Sequence, residues 1–290
     1  MLPLESVPNF SEGRDRSTID AIGAALSTGV RLLDVHSDPD HNRSVFTLVG
    51  DDEALVAALV AGVACARDRI DLRHHRGAHP RVGAADVVPL VPIDPGDMER
   101  ARRAASEVAE RIGALGLPVF LYGAPGRGPA FFRRGGPEEL QRRIDAGELA
   151  PDYGPSRLDP AAGAVLVGAR RPLVAFNVNL RTDDVEVARS IAAVVRETGG
   201  GFPGVRALGL DLPRARLVQV SMNVEDWEAA ALHEIVARIA AEAAARGVEV
   251  AGSELVGLMP AGAAAAAAGA MLGIAGFDAS RVLELRLLGD

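Results

Sequence analysis

Val174-Ala175-Phe176-Asn177-Val178-Asn179-Leu180 places Val174, Phe176, Val178 and Leu180 on one side of an extended chain and the two asparagines on the other. This two-residue period is that of a strand with one buried face. Reading outward, the strand spans residues 173–180 and a helix over 183–197 follows, capped by Thr182. Two strands come next, over 206–212 and 217–224, then a helix over 226–246 and a strand over 248–258. In the 217–224 strand Gln219, Ser221 and Asn223 oppose Val218, Val220, Met222 and Val224, the same division into polar and apolar faces. The order strand, helix, strand, strand, helix, strand is that of a ferredoxin-like unit.

The first half runs in the same order. Strand 4–10 is followed by helix 17–26, strands 31–35 and 44–49, a helix from Asp51 or Asp52 to about residue 69, and strand 87–93. A helix over 97–114 and a strand over 118–122 extend it. The expected fold class is therefore α/β (α+β): two ferredoxin-like βαββαβ subdomains packed with a ligand cleft between them. The halves share no sequence self-similarity, so the repeat is one of architecture. Between them, residues 123–171 are rich in Gly, Pro and Arg, with one helix expected over 137–145. The polar 146–170 segment is long for a connection, so it either belongs to the site or lacks fixed structure. Residues 261–275 are mostly Ala and Gly, fewer than the roughly 20 apolar residues a membrane span needs, and read as a buried helix or helix pair.

Composition narrows the class. Lys and Arg total 31 against 39 Asp and Glu, a net charge of -8, which disfavours nonspecific binding to nucleic acid or membrane. Aromatic residues make up 4% of the 290, few for stacking RNA bases, with Phe131-Phe132-Arg133-Arg134 the one stretch that suits such a role. Cys65 is the single cysteine and forms no internal disulfide; with no signal peptide at the start, a cytoplasmic protein is expected.

The chemistry concentrates in Arg73-His74-His75-Arg76-Gly77-Ala78-His79-Pro80-Arg81-Val82-Gly83-Ala84-Ala85-Asp86, which holds three of the six histidines. Gly77, Pro80 and Gly83 forbid a regular helix here, and Pro80 drives His79 into an extended conformation. An imidazole held near neutral pKa can take and return a proton. His75 and His79 are four apart, a metal-ligand spacing only on a helix, and no cysteine or paired carboxylate completes a set, so no metal is expected. The segment 36–43 adds His36, His41, Asp38 and Asp40, where a carboxylate can orient an imidazole or simply make a turn. The amide faces of 174–180 and 217–224 are either solvated, as composition favours, or offer donors and acceptors to a heteroaromatic ligand. Gly123-Ala-Pro-Gly126-Arg-Gly128 is a weak phosphate-loop lookalike that Pro125 and Pro129 spoil.

The assembled motifs resemble the glutamate formimidoyltransferase (formiminotransferase) family, including the formiminotransferase part of the bifunctional animal enzyme with cyclodeaminase. Matching stretches are Val7-Pro-Asn-Phe-Ser-Glu-Gly13, Gly77-Ala-His-Pro-Arg81 with Gly83, Ala84 and Asp86, Ala150-Pro-Asp-Tyr-Gly-Pro-Ser156, Ala175-Phe-Asn-Val-Asn-Leu180 and Gln219-Val-Ser221. They run through nearly the whole chain. The resemblance implies transfer of the formimino group from N-formimino-L-glutamate to N5 of tetrahydrofolate, which serves as co-substrate. It implies a catalytic histidine at His79, with Asp38 and His36 as its candidate partners, and subdomains over 1–172 and 173–290. The family's folate-binding segment falls on Gly154-Pro155-Ser156-Arg157-Leu158-Asp159-Pro160-Ala161-Ala162-Gly163, to which Asn177 and Asn179 are added. Arg43, Arg81 and Arg170 are the expected anchors for substrate carboxylates. A homodimer is the family's expected state. Two departures, His36 where the animal-type enzyme has an aspartate and Ala162 where it has an aromatic residue, point to an alternative donor such as N-formylglutamate, or to a folate-binding paralogue without turnover.

Overall fold

The computed structural model describes residues 2–124 and 126–288, and the chain divides into two compact units at the Arg171–Pro172 bond. The first unit runs β1 (Leu4–Ser6), β2 (Asn9–Phe10), α1 (Arg16–Leu26), β3 (Arg31–Asp38), β4 (Arg43–Gly50), α2 (Asp52–Arg69), β5 (Ala85–Pro92), α3 (Met98–Ala114), β6 (Val119–Tyr122), α4 (Pro129–Arg133), α5 (Gly136–Asp145) and β7 (Val165–Ala169). β1 and β2 occupy one strand position, both antiparallel to β4 on one side and β5 on the other, with Val7-Pro8 between them. Pro8 has no N–H to give a ladder, which accounts for the break. Across the sheet the order is β3, β4, β1 with β2, β5, β7, β6, and β7 joins β5 and β6 in parallel.

The strands sort their side chains between two clusters. Phe10, Phe46, Leu48, Val88, Leu90, Val119 and Val165 meet Ile22, Leu26, Leu59 and Ile112 from α1, α2 and α3. Their alternates Val87, Phe120 and Leu166 point the other way and meet Phe132 of α4 and Leu140 of α5. β7 corrects the expectation for 146–170. Five of its residues are a strand inside the sheet, and a strand buried on both faces reads as a continuous apolar run, which Ala164-Val-Leu-Val-Gly-Ala169 is.

The second unit runs β8 (Val174–Leu180), α6 (Val185–Val195), β9 (Val205–Leu212), β10 (Leu217–Val224), α7 (Leu232–Ala244), β11 (Val250–Val256), α8 (Ala261–Leu272) and α9 (Leu283–Leu288). Its four strands are antiparallel in the order β11, β8, β10, β9. Val178, Leu180, Val218, Val220 and Met222 pack under Ile191 and Val195 of α6 and Ile235 and Ile239 of α7. The cap of α6 is Asp184, whose carboxylate accepts the Glu186 N–H at 2.9 Å, and not Thr182. α7 starts at Leu232 and not near 226, because Asp226 spends its side chain and carbonyl on the N–H groups of Ala229 and Ala230 in a turn. The Ala/Gly run forms α8 at the surface: Ala263, Ala265 and Gly269 are buried, but Met271 is 84% exposed. Among the described residues, no helix is long and apolar enough to cross a membrane.

Phe46 is fully buried and meets the Phe10 ring edge-on at 5.5 Å between centroids. Phe46→Ala is expected to cost about 3–5 kcal/mol in urea denaturation, the usual range for emptying such a site. A loss below about 1 kcal/mol would show that the helices collapse into the gap.

Candidate active site

The histidine loop between α2 and β5 lies against the turn between β3 and β4. The contact is so close that a Cβ on Gly77 would fall 2.1 Å from the His41 carbonyl oxygen, and one on Gly13 would fall 2.2 Å from that of Asp38. Glycine is therefore required on both sides of this turn. Its centre is Asn42, with φ at 48°, a left-handed conformation that asparagine tolerates. Asn42 Oδ1 accepts the Gly13 N–H at 2.9 Å, and Nδ2 donates to the Arg76 carbonyl at 3.1 Å. Asp38 Oδ1 accepts the His41 N–H at 2.7 Å.

Two tautomers follow from these partners. His75 Nε2 faces the Asn42 carbonyl at 3.0 Å, an acceptor only, so Nε2 carries the hydrogen; Nδ1 then accepts from the Arg81 guanidinium, which can only donate. The ring is neutral and buried, and burial together with Arg81 pulls its pKa down to about 4. His79 Nδ1 faces the Pro80 carbonyl at 2.8 Å and must donate to it. That leaves Nε2 of a neutral His79 with a lone pair.

Beneath His79 lies a buried ionic cluster. Asp86 is fully buried at the start of β5; its Oδ2 accepts from Arg43 Nη1 at 2.8 Å and Arg133 Nη2 at 2.5 Å, and its Oδ1 accepts the Val82 N–H at 2.8 Å. Burial alone would raise this carboxyl, but the two guanidinium groups and the N–H hold it well below the usual range. Arg43 is buried too, its Nε donating to Asn9 Oδ1 at 3.0 Å, and burial lowers it to about 10. Burial is the largest cause that pushes His79 well below 6.5; Arg43 and Arg133 add to it, Asp86 opposes, and His41, with its ring centroid 5.9 Å away, lowers it further.

The other expected residues fall as follows. Asp38 ends β3 and its carboxylate serves the turn; His36 lies on β3 opposite Val45. Arg81 grips the loop itself, donating to the carbonyls of Gly77 and His79. Arg170 extends from β7, its N–H on the Leu90 carbonyl and Nη1 on the Arg171 carbonyl. Residues 154–157 are exposed, while 158–163 form a turn in which Asp159 Oδ1 accepts the N–H groups of Ala161 and Ala162 at 2.8 and 2.7 Å. This turn is tied to the histidine loop backbone to backbone, through Leu72 N–H to Ala161 O, Ala84 N–H to Ala162 O and Ala164 N–H to Val82 O. Asn177 is 2% exposed and Gln219 fully buried, so the solvated reading of the amide faces is corrected at these two positions, while Asn179 and Ser221 are half-buried and Asn223 is exposed. Sequence reasoning passed over Asn42, and gave Asp86 and Arg133 no role in the site. A charged residue at the head of the apolar run 87–92 was a signal for Asp86, since a carboxylate there has to be paired.

Residues 3–170 match the N-terminal subdomain of the formiminotransferase domain, and residues 175–272 match the formiminotransferase domain. The chain is 43% identical over 295 residues to glutamate formimidoyltransferase of Streptococcus pyogenes serotype M1, covering 99% of each. It is 40% identical over 294 residues to that of Thermoplasma acidophilum, covering 98% of this chain and 97% of the other. Formimidoyltransferase-cyclodeaminase of Rattus norvegicus is 40% identical over 271 residues, 89% of this chain and 50% of the longer protein. Likeness of this extent makes the chain a transferase. It belongs to the formiminotransferase family.

The depressed Asp86 carboxyl gives stability that is full above about pH 3.9, the ordinary carboxylate value, and is lost as pH falls toward its folded pKa. Asp86→Asn, leaving two guanidinium groups without their counter-ion, is expected to lose about 3–5 kcal/mol at pH 7 in urea titrations, with the difference from wild type shrinking in acid. His75 is lowered, so the unfolded chain binds the extra proton between pH about 6.5 and about 4, and stability falls as pH falls through that window. His75→Gln is expected to reduce that slope by about one proton; an unchanged slope would mean that His75 is charged in the fold.

Proposed function

We propose that this transferase moves the formimino group of N-formimino-L-glutamate to N5 of tetrahydrofolate, giving 5-formiminotetrahydrofolate and L-glutamate, with His79 as general base and then acid. The observation that carries this reading is the state of His79: neutral, with Nδ1–H committed to the Pro80 carbonyl and Nε2 left basic. N5 attacks the formimino carbon through its lone pair, and its proton passes to Nε2 as the new C–N bond forms. Collapse of the tetrahedral adduct breaks the bond to the glutamate nitrogen, which takes the proton back from Nε2. The Arg43 and Arg133 charges disfavour a lasting imidazolium and so favour return of the proton, while Asp86 tempers them.

The same proposal gives folate binding to residues 154–163, with Asn177 and Asn179. The turn at 158–163 supports it, being held to the histidine loop by three backbone hydrogen bonds. Arg43, Arg81 and Arg170 are assigned to substrate carboxylates, each guanidinium having five N–H donors and so hydrogens beyond those it gives to Asp86 and Asn9, to the loop carbonyls and to the Arg171 carbonyl respectively. Asp38 and His36 are assigned to the support of His79, through the turn that carries His41. Two ferredoxin-like subdomains, over 1–172 and 173–290, with a ligand cleft, form part of the proposal. Its support is the strand order in each sheet, which counted within each unit as second, third, first, fourth and as fourth, first, third, second is one arrangement. A cytoplasmic homodimer is the expected form, in line with a net charge of -8 and the single Cys65.

Purified protein mixed with tetrahydrofolate and formiminoglutamate, quenched in acid, is expected to give the absorbance of methenyltetrahydrofolate. His79→Ala should reduce kcat by about 10²–10⁴ while 5-formyltetrahydrofolate still binds. For wild type, kcat should be flat through neutrality and fall only in acid well below pH 6.5, the ordinary imidazole value, because a lowered His79 stays deprotonated until then. Full activity in His79→Ala would sink the assignment, and turnover with formylglutamate alone would move it to that donor.

A further inference from the structure

The two buried histidines of the loop stand in opposite tautomers, and only one of them has a nitrogen left for chemistry. His79 gives Nδ1–H to the Pro80 carbonyl and keeps its Nε2 lone pair. His75, 8% exposed, gives Nε2–H to the Asn42 carbonyl at 3.0 Å, and its Nδ1 lone pair accepts a hydrogen from Arg81 Nη1. Its main chain is fixed too: the N–H donates to the Leu72 carbonyl at 3.2 Å, and the carbonyl accepts from Arg76 Nη1 at 2.8 Å. A ring in this state cannot take a proton from a substrate, or give one, without breaking a contact that holds the loop.

The contacts of His75 form a line that ends at His79. Arg81 Nη2 donates to the Gly77 carbonyl and, at 2.9 Å, to the His79 carbonyl, which Nε also reaches at 3.3 Å. A guanidinium is a rigid planar fork, so the partner of Nη1 fixes the direction in which Nε and Nη2 point. That partner is His75, and its other nitrogen rests on the turn that Asn42 fastens to Gly13 and Arg76. An aliphatic side chain at 75 would leave the Asn42 carbonyl and a guanidinium hydrogen without their partner. A charged ring would set a like charge, with no lone pair, against Arg81.

We propose that His75 is a positioning residue for His79: a neutral imidazole that does no proton chemistry and carries the placement of the Asn42 turn, through Arg81, to the backbone that holds the working histidine. This rests on the reading above that His79 is the general base and acid. An imidazole suits the place because its donor and its acceptor lie on different edges of one rigid ring. A glutamine also offers one N–H edge and one oxygen, so it can stand in for a positioning ring, but not for a base.

The test compares wild type, His75→Gln and His75→Leu in the formimino transfer assay, with thermal melting to show that each folds; His75→Met replaces His75→Leu should that protein not fold. His75→Leu should lose about a hundredfold in kcat, the usual effect of an ångström of misplacement, and stay within about twofold of wild type in KM for formiminoglutamate and in calorimetric affinity for 5-formyltetrahydrofolate. His75→Gln should recover kcat to within about tenfold of wild type. In nitrogen NMR of histidine-labelled wild type at pH 7, the ring signals that vanish in His75→Gln should be those of a neutral Nε2–H tautomer. Four results would each overturn the positioning role while leaving His79 as the base: wild-type kcat in His75→Leu, a His75→Gln as slow as His75→Leu, ligand affinity lost in step with kcat, or a charged or Nδ1–H ring at position 75. Absence of turnover in wild type with either donor would end the transfer reading, and the positioning role with it.

Discussion

A carboxylate shut away from water has to be neutralised by protein groups, and Asp86 is where the first unit meets that demand. Arg43 reaches it from the start of β4, Arg133 from the end of α4, and the Val82 N–H from the histidine loop. Stripping these charges of water costs several kcal/mol each, and the cost is recovered only with every partner in place. The cluster therefore defines where α4 and the loop can sit. It also carries two positive charges against one negative, and that surplus bears on His79. A histidine beside a lone carboxylate would be held as the cation; beside this cluster it is kept neutral.

A second constraint acts through backbone shape. The turn at 38–43 passes between Gly13 and Gly77 at distances no side chain would permit, and Asn42 binds to both flanks at once. Three stretches distant in sequence thus share one geometry. The polar contacts, and not apolar packing, decide where His41, His75 and His79 stand relative to one another. Positioning of this kind is what proton transfer needs, since a base displaced by an ångström no longer meets its proton.

Much of the fold was legible because its elements announce themselves by period: the alternation in β8 and β10 and the helical spacing of α1 and α3 lie on the surface of the sequence. β7 was not, since a short strand buried on both faces has no alternation to show, and its apolar run follows a long polar, Gly- and Pro-rich stretch. The start of α7 was misplaced because Asp226 caps a turn as readily as a helix. Within the candidate site, His79 was legible from the proline that follows it and from a family resemblance. Asp86 and Arg133 are 47 residues apart, and a pairing across that distance leaves no local trace. Asn42 was hidden for a related reason: an asparagine in a polar turn looks like ordinary turn chemistry, and its second job is visible only when residues 13 and 76 are brought beside it.

The backbone ladder that ties 161–164 to the stretch from 72 to 84 has a consequence for the order of events in synthesis. Leu72, Val82 and Ala84 await partners that are translated some eighty to ninety residues later. Until Ala164 emerges from the ribosome, the histidine loop has its turn but not its outer edge, and its N–H groups stay with water. Long-range pairing of this sort is closed late in folding, after the local helices. The His79 imidazole of the nascent chain thus reaches its final setting only after the whole of β7's lead-in has been made, a delay between making the loop and fixing its edge.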